Sequence, residues 1–295
     1  MQHQEQHQQR FEGDSSQLPV AQCVSCLTLR EPLLPHWHHR MELFYVARGQ
    51  GVVKVGLEQR HIAPGDVVVV APEQVHSLTA AGPEACVCRV VVFDLSMLVG
   101  QPGDPMGYTY IRPLQSGGQA CTPVICREQP SSAPLRACID KVMGELHAGT
   151  AGWELSVKAG LLDVMALLWR SGSLEQRPAV GRRETQSVRK VLHYIDDHWN
   201  EDLSSELLAS VAGYSRYHFQ RMFRQYVGDS PAIYIRQLRL SRAATLLLQK
   251  PWSVSEVCYY SGFHTVSYFI QCFHRQYGVT PRAYRSAGGA GHCAS

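Results

Sequence analysis

The sequence lacks the features that mark several common classes of protein. No apolar run approaches the ~20 residues that a helix needs to cross a bilayer, which argues against a membrane-spanning protein. The first ten residues, MQHQEQHQQR, have no apolar core, so we expect no secretory signal peptide and a cytoplasmic location. A Walker loop, a G-x-S-x-G motif and a plausible catalytic triad are also missing, so the sequence does not predict an enzyme.

Charge is scarce and unevenly distributed. Charged residues make up 18% of the 295 residues, and the formal net charge is +3. Residues 187–295 hold 12 Lys and Arg against 7 Asp and Glu, whereas residues 1–186 hold 16 against 18. The length corresponds to roughly two domains. The basic C-terminal third suggests an anionic partner, although many solvated surfaces carry so small an excess.

Short β-strand patterns dominate the first hundred residues. They follow a Gln- and His-rich tail, residues 1–17, which we expect to be disordered. Turn-forming residues separate five runs of strand-forming residues: AQCVSCLTL (21–29), ELFYVARG (42–49), GVVKVG (51–56), DVVVVA (66–71) and CVCRVVVF (86–93). Short strands at this spacing predict a β-sandwich or barrel, which we place at residues 18–130. Within it, the Gly- and Pro-rich segment 101–128 is expected to be irregular.

Two helical patterns follow at residues 131–171. Residues 133–147 place four aliphatic side chains on one face, and residues 153–169 are apolar over most of the helix circumference. The short connection between them predicts an antiparallel hairpin. Its spare apolar surface suggests either a homodimer interface or burial within one chain. Residues 172–186 are expected to form an interdomain linker, and residues 287–295 a flexible tail.

An internal repeat organises the C-terminal third. Every residue of one pattern recurs 50 positions later: Phe219-x3-Phe223-x4-Gly228-x2-Pro231-x2-Tyr234 and Phe269-x3-Phe273-x4-Gly278-x2-Pro281-x2-Tyr284. Such a duplication indicates two copies of one structural unit. Each copy has the pattern of a helix, a turn at Gly213 or Gly262, and a second helix, which is typical of a helix-turn-helix motif. Ser253 and Glu256 form a capping-box pattern, and residues 231–249 predict a long helix that joins the units.

The second helix of each unit, residues 215–227 and 265–277, presents polar side chains opposite its aromatic core face. Arg can bridge the major-groove edge of guanine, and Gln that of adenine. We therefore predict DNA-contacting residues on the exposed face of both helices. They are Ser215, Arg216, Tyr217, Gln220, Arg221 and Arg224 in the first unit, and Thr265, Ser267, Gln271, His274 and Arg275 in the second.

Residues 203–285 resemble the DNA-binding domain of the AraC/XylS family of transcription regulators. The most specific part is GF-x4-YF-x3-F-x3-YG-x-TP-x2-YR in the second unit. The resemblance implies a DNA-binding domain at residues 187–286 that reads successive major-groove segments of double-stranded promoter DNA. It also implies recruitment of RNA polymerase, as by an activator, although the sequence does not decide between activation and repression. By the same resemblance, DNA-contacting positions fall at Tyr217, Gln220, Arg221, Val266, Ser267 and Gln271.

The N-terminal half carries a second resemblance. His36-x-His38-x3-Glu42-x6-Gly49, followed by Pro64-Gly65-Asp66 and Pro72-x3-His76, resembles the cupin motif, a small β-barrel that in metallocupins binds a metal. Positions 36, 38 and 42 share one parity, so along an extended chain they face the same way. His36, His38, Glu42 and His76 would suit Zn, Fe, Mn or Ni. Otherwise the same side chains would bind an organic effector such as a sugar, with Trp37 and Tyr45 as stacking surfaces.

Together these features predict a multidomain α+β protein. A cupin-like β-barrel (jelly roll) with a helical hairpin precedes an all-α domain with two helix-turn-helix motifs. The predicted function is sequence-specific regulation of transcription under the control of a small-molecule effector. Two alternatives stay open: a metal-dependent cupin enzyme fused to a DNA-binding domain, and a constitutive regulator whose barrel binds no ligand.

Overall fold

A computed structural model describes residues 18–100, 103–115, 119–176 and 182–289. Within these residues the chain divides into two compact units. One contains residues 18–29 and 36–176, and the other contains residues 30–35 and 182–289. The predicted N-terminal tail, the middle of the predicted linker and the last residues of the chain lie outside the described residues. No described helix is long and apolar enough to span a membrane.

The N-terminal half folds into antiparallel β-strands. Their bounds are β1 (Val20–Leu27), β2 (Leu33–His36), β3 (Met41–Arg48), β4 (Gly51–Val55), β5 (Glu58–Ile62), β6 (Val67–Val70), β7 (His76–Ala80), β8 (Cys86–Phe93), β9 (Gln119–Cys121), β10 (Val124–Ile125) and β11 (Leu174–Gln176). One sheet has the order β1-β8-β3-β6-β10, a second has the order β2-β7-β4-β5, and β9 pairs with β11. All five predicted strands are present. The other six strands, β2, β5, β7, β9, β10 and β11, are additional.

The central strand β3 separates two environments. Met41 and Leu43 belong to a hydrophobic core that continues into the helical hairpin. Because successive side chains of a strand point to opposite faces, Glu42 lies on the other face of the sheet. There it is 3% exposed, and its neighbours across the sheet are Val70 on β6 and Val92 on β8. The sheet thus places a carboxylate in a buried environment, which requires polar partners.

The segment predicted to be irregular contains a short helix instead. A π-helical turn at Gly107–Ile111 leads into α1 (Arg112–Gln115). The Asp104 carboxylate accepts hydrogen bonds from the backbone N–H groups of Gly100 and Met106, each at 3.0 Å, and so caps the start of the helix. Because Ile111 and Leu114 are buried against the core, tertiary packing supports a helix that the local composition did not suggest.

The predicted helical hairpin is confirmed by α2 (Ser132–Ala148) and α3 (Trp153–Arg170). Between them, Gly149 and Gly152 adopt left-handed backbone conformations, with φ of 57° and 82°. The two helices approach closely, since a Cβ at Gly160 would lie 2.9 Å from Val142 Cγ2. Their buried faces share one hydrophobic core with the outer face of the five-stranded sheet.

The C-terminal unit is helical. Its elements are α4 (Arg182–Asp197), α5 (Ser205–Ala212), α6 (Arg216–Val227), α7 (Pro231–Gln249), α8 (Val254–Tyr260), α9 (Val266–Tyr277) and α10 (Pro281–Ser286). The predicted linker at 172–186 differs from the structure, because β11 and the first turn of α4 fall within it. α4 buries Val188, Val191, Leu192 and Ile195 on one face. A helix anchored in this way extends upstream through good helix formers such as Glu184.

Serine side chains begin three of the four helices of the two helix-turn-helix units, whereas α9 follows Thr265, whose side chain makes no capping hydrogen bond. Each serine accepts a hydrogen bond from a backbone N–H of the first turn, as N-caps do: Ser204, Ser215 and Ser253. The predicted capping box of Ser253 and Glu256 is confirmed. Gly213 and Gly262 end the first helix of each unit, with φ of 72° and 74°. The predicted pattern of helix, glycine turn and helix is therefore present twice.

The residues that repeat in the sequence are the ones that form the two cores. In the first unit the ring centroids of Phe223 and Tyr234 lie 5.8 Å apart. In the second, the matching Phe273 and Tyr284 lie 5.4 Å apart. Both pairs meet edge to face, an arrangement that aromatic rings favour. The duplication therefore preserves the packing that holds each motif together.

Candidate nucleic-acid interface and candidate metal centre

The helix α6 exposes every side chain predicted to contact DNA in the first unit. Its aromatic face, including Phe219 and Phe223, is buried. The exposed residues on and just before the helix are Ser215, Arg216, Tyr217, Gln220, Arg221 and Arg224. Tyr217 is 80% exposed, and α6 carries no acidic residue. The result is a basic, hydrogen-bonding helix face of the kind that enters a major groove.

Arg216 is held at the start of this face by an ion pair. Its Nη1 lies 2.6 Å from Oε1 of Glu206 on α5, and both side chains are more than half exposed. Exposed ion pairs contribute at most about 1 kcal/mol. Arg216 can therefore exchange Glu206 for a phosphate at little cost.

The helix α9 presents a less basic surface. Thr265, Ser267, Gln271, His274 and Arg275 are exposed, as predicted. Val266 differs, because it is half-buried and packs against the hydrophobic core of the second unit. The structure therefore does not favour the DNA contact expected at Val266.

The β-rich unit brings together the four side chains predicted as metal ligands. One potential ligand atom from each of His36, His38, Glu42 and His76 lies within 4.8 Å of the others. Oε2 of Glu42 is 3.0 Å from Nε2 of His38 and 3.4 Å from Nε2 of His76. The ring centroids of His36 and His76 are 4.1 Å apart. We call these four residues the His/Glu cluster.

Backbone carbonyls fix the tautomers of two of these histidines. Nδ1 of His38 lies 2.9 Å from the carbonyl oxygen of Arg40, and Nδ1 of His76 lies 2.9 Å from that of Gln74. A carbonyl oxygen only accepts, so each Nδ1 carries a proton and each Nε2 is turned toward the carboxylate of Glu42. Metal-binding histidines are commonly oriented in this way. Sequence reasoning missed these contacts because any residue type supplies a carbonyl.

Nε2 of His76 has no hydrogen-bond partner among the described residues. This atom is buried, and the side chain is 2% exposed. The nearest polar atom named above, Oε2 of Glu42, is itself an acceptor and is 3.4 Å away. A cation between the imidazole nitrogens and the carboxylate would satisfy all of them. The donor set of the His/Glu cluster therefore fits a divalent transition metal.

The cluster also keeps Glu42 ionised. Burial alone would raise the pKa of its carboxyl group, but the hydrogen bond from His38 and the proximity of His38 and His76 outweigh burial and hold the pKa well below its usual value. A carboxylate that is already deprotonated binds a cation without having to release a proton.

One of the two aromatic residues predicted to line an effector pocket, Tyr45, points away from the His/Glu cluster. The Tyr45 hydroxyl donates a hydrogen bond of 2.8 Å to Oδ1 of Asp140 on α2, so Tyr45 lies on the opposite face of β3 from Glu42. Burial, followed by the hydrogen bond and charge of Asp140, raises the pKa of Tyr45 to about 12. Trp37 packs edge-on against His39, with ring centroids 5.1 Å apart. The expected stacking role of Tyr45 is therefore corrected.

Each of the two units matches a known domain family. Residues 208–287 match the helix-turn-helix domain family, and residues 30–93 match the cupin domain family. The helical half is thus similar to helix-turn-helix domains of the AraC type, and the β-rich half is similar to cupin domains. The resemblances predicted for both halves are thereby confirmed, as is the combination of a β-rich cupin unit with an α-helical unit.

The chain is similar to curated transcriptional regulators. The transcriptional regulator YbfP of Bacillus subtilis is 35% identical over 101 residues, which are 34% of this chain and 34% of YbfP. The chain thus spans about a third of the length of that relative. YdeC of the same organism, also a transcriptional regulator, is 20% identical over 85% of each chain. Among solved structures, ToxT from Vibrio cholerae is 15% identical with a TM-score of 0.46, covering 91% of this chain and 97% of ToxT.

Proposed function

We propose that this chain is a sequence-specific DNA-binding transcription regulator controlled by a ligand in its cupin unit. The observation that carries the proposal is the duplicated helix-turn-helix motif with the basic, exposed face of α6. Relatives named as transcriptional regulators support it. From the family we also propose action in the cytoplasm, with promoter DNA and RNA polymerase as partners.

Selection of binding sites tests DNA recognition directly. Random-sequence duplexes are incubated with the full chain, and the enriched sequence is titrated by fluorescence anisotropy. Arg221→Ala should weaken binding to the selected site by about 1–3 kcal/mol, because a bidentate contact to guanine contributes that much discrimination. Arg60→Ala, which removes an exposed arginine of β5 in the cupin unit, serves as the control and should have no effect. Failure to enrich any sequence would refute the proposal.

We further propose that the His/Glu cluster holds one divalent ion, of Zn, Fe, Mn or Ni. Its support is the partnerless Nε2 of His76 beside a buried, ionised Glu42. Such an ion would supply positive charge to both, and would cross-link His36 of β2, Glu42 of β3 and His76 of β7.

Metal analysis of the purified full chain tests this site. Near-stoichiometric metal is expected in the wild type and its loss in His76→Ala, with retention in His61→Ala, a change of an exposed histidine on β5. Equal metal content in all three proteins would contradict the site. Metal-free protein that is stabilised by sugars or aromatic acids in a thermal-shift screen would favour an organic effector instead. A lack of any such shift would favour the ligandless barrel.

A second candidate function, a metal-dependent enzyme, is favoured by the complete His/Glu ligand set. We propose that the chain is not an enzyme, because its relatives are transcriptional regulators. If metal is present, its removal should change affinity for the selected DNA. Metal-dependent turnover of a small substrate, together with a DNA affinity that is the same with and without the metal, would support the enzyme.

We propose that α3 mediates homodimerisation. An apolar stripe crosses its solvent side with spacings of four and three residues: Leu155, Ala159, Leu162, Ala166 and Trp169. Leu155 is 76% exposed. The stripe is nearly symmetric about Leu162, so two antiparallel copies would set Leu155 against Trp169 and Ala159 against Ala166. This self-complementarity matches the two-fold symmetry of a homodimer.

Light scattering after size-exclusion chromatography tests the dimer. Leu162→Glu should yield monomers, because two carboxylates would meet at the symmetry axis. Leu57→Glu alters an exposed leucine outside the stripe and should leave the dimer intact. A wild-type monomer at micromolar concentration, or a dimer unaffected by Leu162→Glu, would refute the proposed interface.

A further inference from the structure

Three segments of the helical unit meet around one guanidinium group. Arg239, in the middle of α7, donates from Nε to the carbonyl oxygen of Trp199 at 2.8 Å. Its Nη2 donates to the carbonyl oxygen of Glu201 at 2.6 Å, and its Nη1 to that of Gly262 at 2.7 Å. Trp199 and Glu201 precede the first helix of the first unit, and Gly262 is the turn of the second. We call this junction the seam.

The geometry of an arginine suits this junction. The guanidinium group is planar and offers five donors in fixed directions, so it can bind several carbonyls at once without adjusting. α7 by itself connects the two units through its ends. Arg239 adds a link in the middle, where one side chain holds the backbone of both units.

Gly262 is adapted to the seam in a way that its repeat counterpart is not. A Cβ at Gly262 would lie 2.7 Å from the carbonyl oxygen of Asn200 and 2.9 Å from Cζ of Arg239. A Cβ at Gly213 would meet nothing within 4 Å. Both glycines have the same left-handed backbone, so the difference lies in the close approach of the first unit and of Arg239 to the second turn.

A second arginine of α7 reinforces the junction. Arg242 forms an ion pair with the carboxylate of Asp196 at the end of α4. Its Cζ lies 4.7 Å from the ring centroid of Trp199, and that ring meets Tyr260 of α8 at 6.0 Å. Contacts of the first unit, α7 and the second unit are therefore continuous across the seam.

We propose that Arg239 is a positioning residue that locks the two helix-turn-helix units at one fixed separation, so that α6 and α9 meet DNA with a single spacing. The inference rests on the proposed DNA-binding function. If one unit could pivot about an end of α7, the pair would tolerate sites of different spacing. The seam prevents that motion and makes spacing part of the recognised sequence.

A spacing assay tests the inference. In the selected DNA site, one base pair is inserted between the two contacted segments, which moves one of them by about 3.4 Å and about a tenth of a turn. The wild type should lose at least about tenfold in affinity, because one unit loses its base contacts. Arg239→Met, which keeps the chain length but no donor, should bind the original site more weakly and lose less than about threefold on the longer one. Arg239→Lys should fall between them.

Gly262→Ala and Gly213→Ala form the matched pair if Arg239→Met does not fold. Both introduce the same backbone strain, but only Gly262→Ala displaces the seam. Only Gly262→Ala should therefore reduce the loss of affinity that the inserted base pair causes. If the inserted base pair lowers the affinity of Arg239→Met and of Gly262→Ala as much as that of the wild type, the positioning role is wrong, although the proposed DNA binding still stands. If the wild type selects no DNA sequence, the proposed function itself fails.

Discussion

The two helix-turn-helix units agree in their buried residues and differ on the exposed face of the second helix. The displacement of 50 positions pairs Phe223 with Phe273 in the two cores. On the exposed faces it pairs Arg221 with Gln271, and Arg216 of α6 with the half-buried Val266. The two copies therefore share the residues that pack their cores, whereas the solvent-exposed residues, which carry the proposed DNA contacts, differ between them. Fold and specificity are encoded on different sides of one helix.

The two turns extend this contrast. Gly213 is open to solvent on its Cβ side, whereas Gly262 is enclosed by Asn200 and Arg239. The first unit thus carries most of the positive charge of the two second helices, and the second unit carries the contacts that fix their spacing. We infer that the first unit contributes more to phosphate attraction.

The largest expected effect tests whether the hydrophobic cores of the two helix-turn-helix units contribute equally to stability. Phe223→Ala and Phe273→Ala should each lower the free energy of unfolding by about 3–5 kcal/mol, because each removes a fully buried ring and leaves a cavity. Denaturant unfolding of the full chain, followed by the helical circular dichroism signal, gives both values. Tyr217→Ala, at a site that is 80% exposed, should stay within about 0.5 kcal/mol of the wild type. A large difference between the two phenylalanine variants would show that the cores are not equivalent.

A smaller effect tests the difference in charge. The matched positions Arg224 and His274 can be exchanged singly, as Arg224→His and His274→Arg. Each neutralised phosphate steepens the dependence of log K on log salt by about 0.9. At a pH where histidine is neutral, Arg224→His should therefore flatten the slope and His274→Arg should steepen it. Anisotropy titrations of the selected site over a salt series measure both, and two unchanged slopes would place neither position beside the DNA backbone.

The sequence predicts those parts of the molecule whose signal is local. α7 begins and ends where the pattern places it, because Ser230 caps the helix and Pro231 occupies its first turn. The residues of the His/Glu cluster can be identified from the sequence because only a few residue types bind metal ions, and here they recur at a characteristic spacing. β5 is missed because four of its five residues are exposed, so no alternation of apolar and polar side chains marks it.

Other features depend on where distant segments meet. Arg239 contacts three backbone carbonyls, and no pattern of residue types encodes such contacts. Tyr45 is a different case. Within β3 the side chains alternate between the two faces, so position 45 lies opposite position 42, and strict use of that rule would have removed Tyr45 from the predicted pocket.

The smallest expected effect concerns the helix starts. In the second unit Ser253 Oγ accepts from the N–H of Glu256 at 3.2 Å, and Glu256 Oε2 accepts from the N–H of Ser253 at 2.7 Å. In the first unit Ser204 Oγ accepts from the N–H of Leu207 at 3.1 Å, and a leucine cannot return the bond. Ser204→Ala and Ser253→Ala should each lower the free energy of unfolding by about 1 kcal/mol.

Only the second cap should respond to pH. The hydrogen bond from the Ser253 backbone, followed by that of its side chain, lowers the pKa of Glu256 below its usual value. A carboxyl group with a lower pKa in the folded state stabilises the fold above its unfolded pKa, and this contribution disappears as pH falls through the folded pKa. The melting temperatures of the wild type and Glu256→Gln should therefore differ at about pH 6 and converge at about pH 3, which bracket the usual glutamate pKa of about 4.3. Leu207→Glu should install the missing half of the box in the first unit and give it the same pH dependence. If Leu207→Glu leaves the melting temperature unchanged at both pH values, the difference between the two caps does not lie in the reciprocal hydrogen bond.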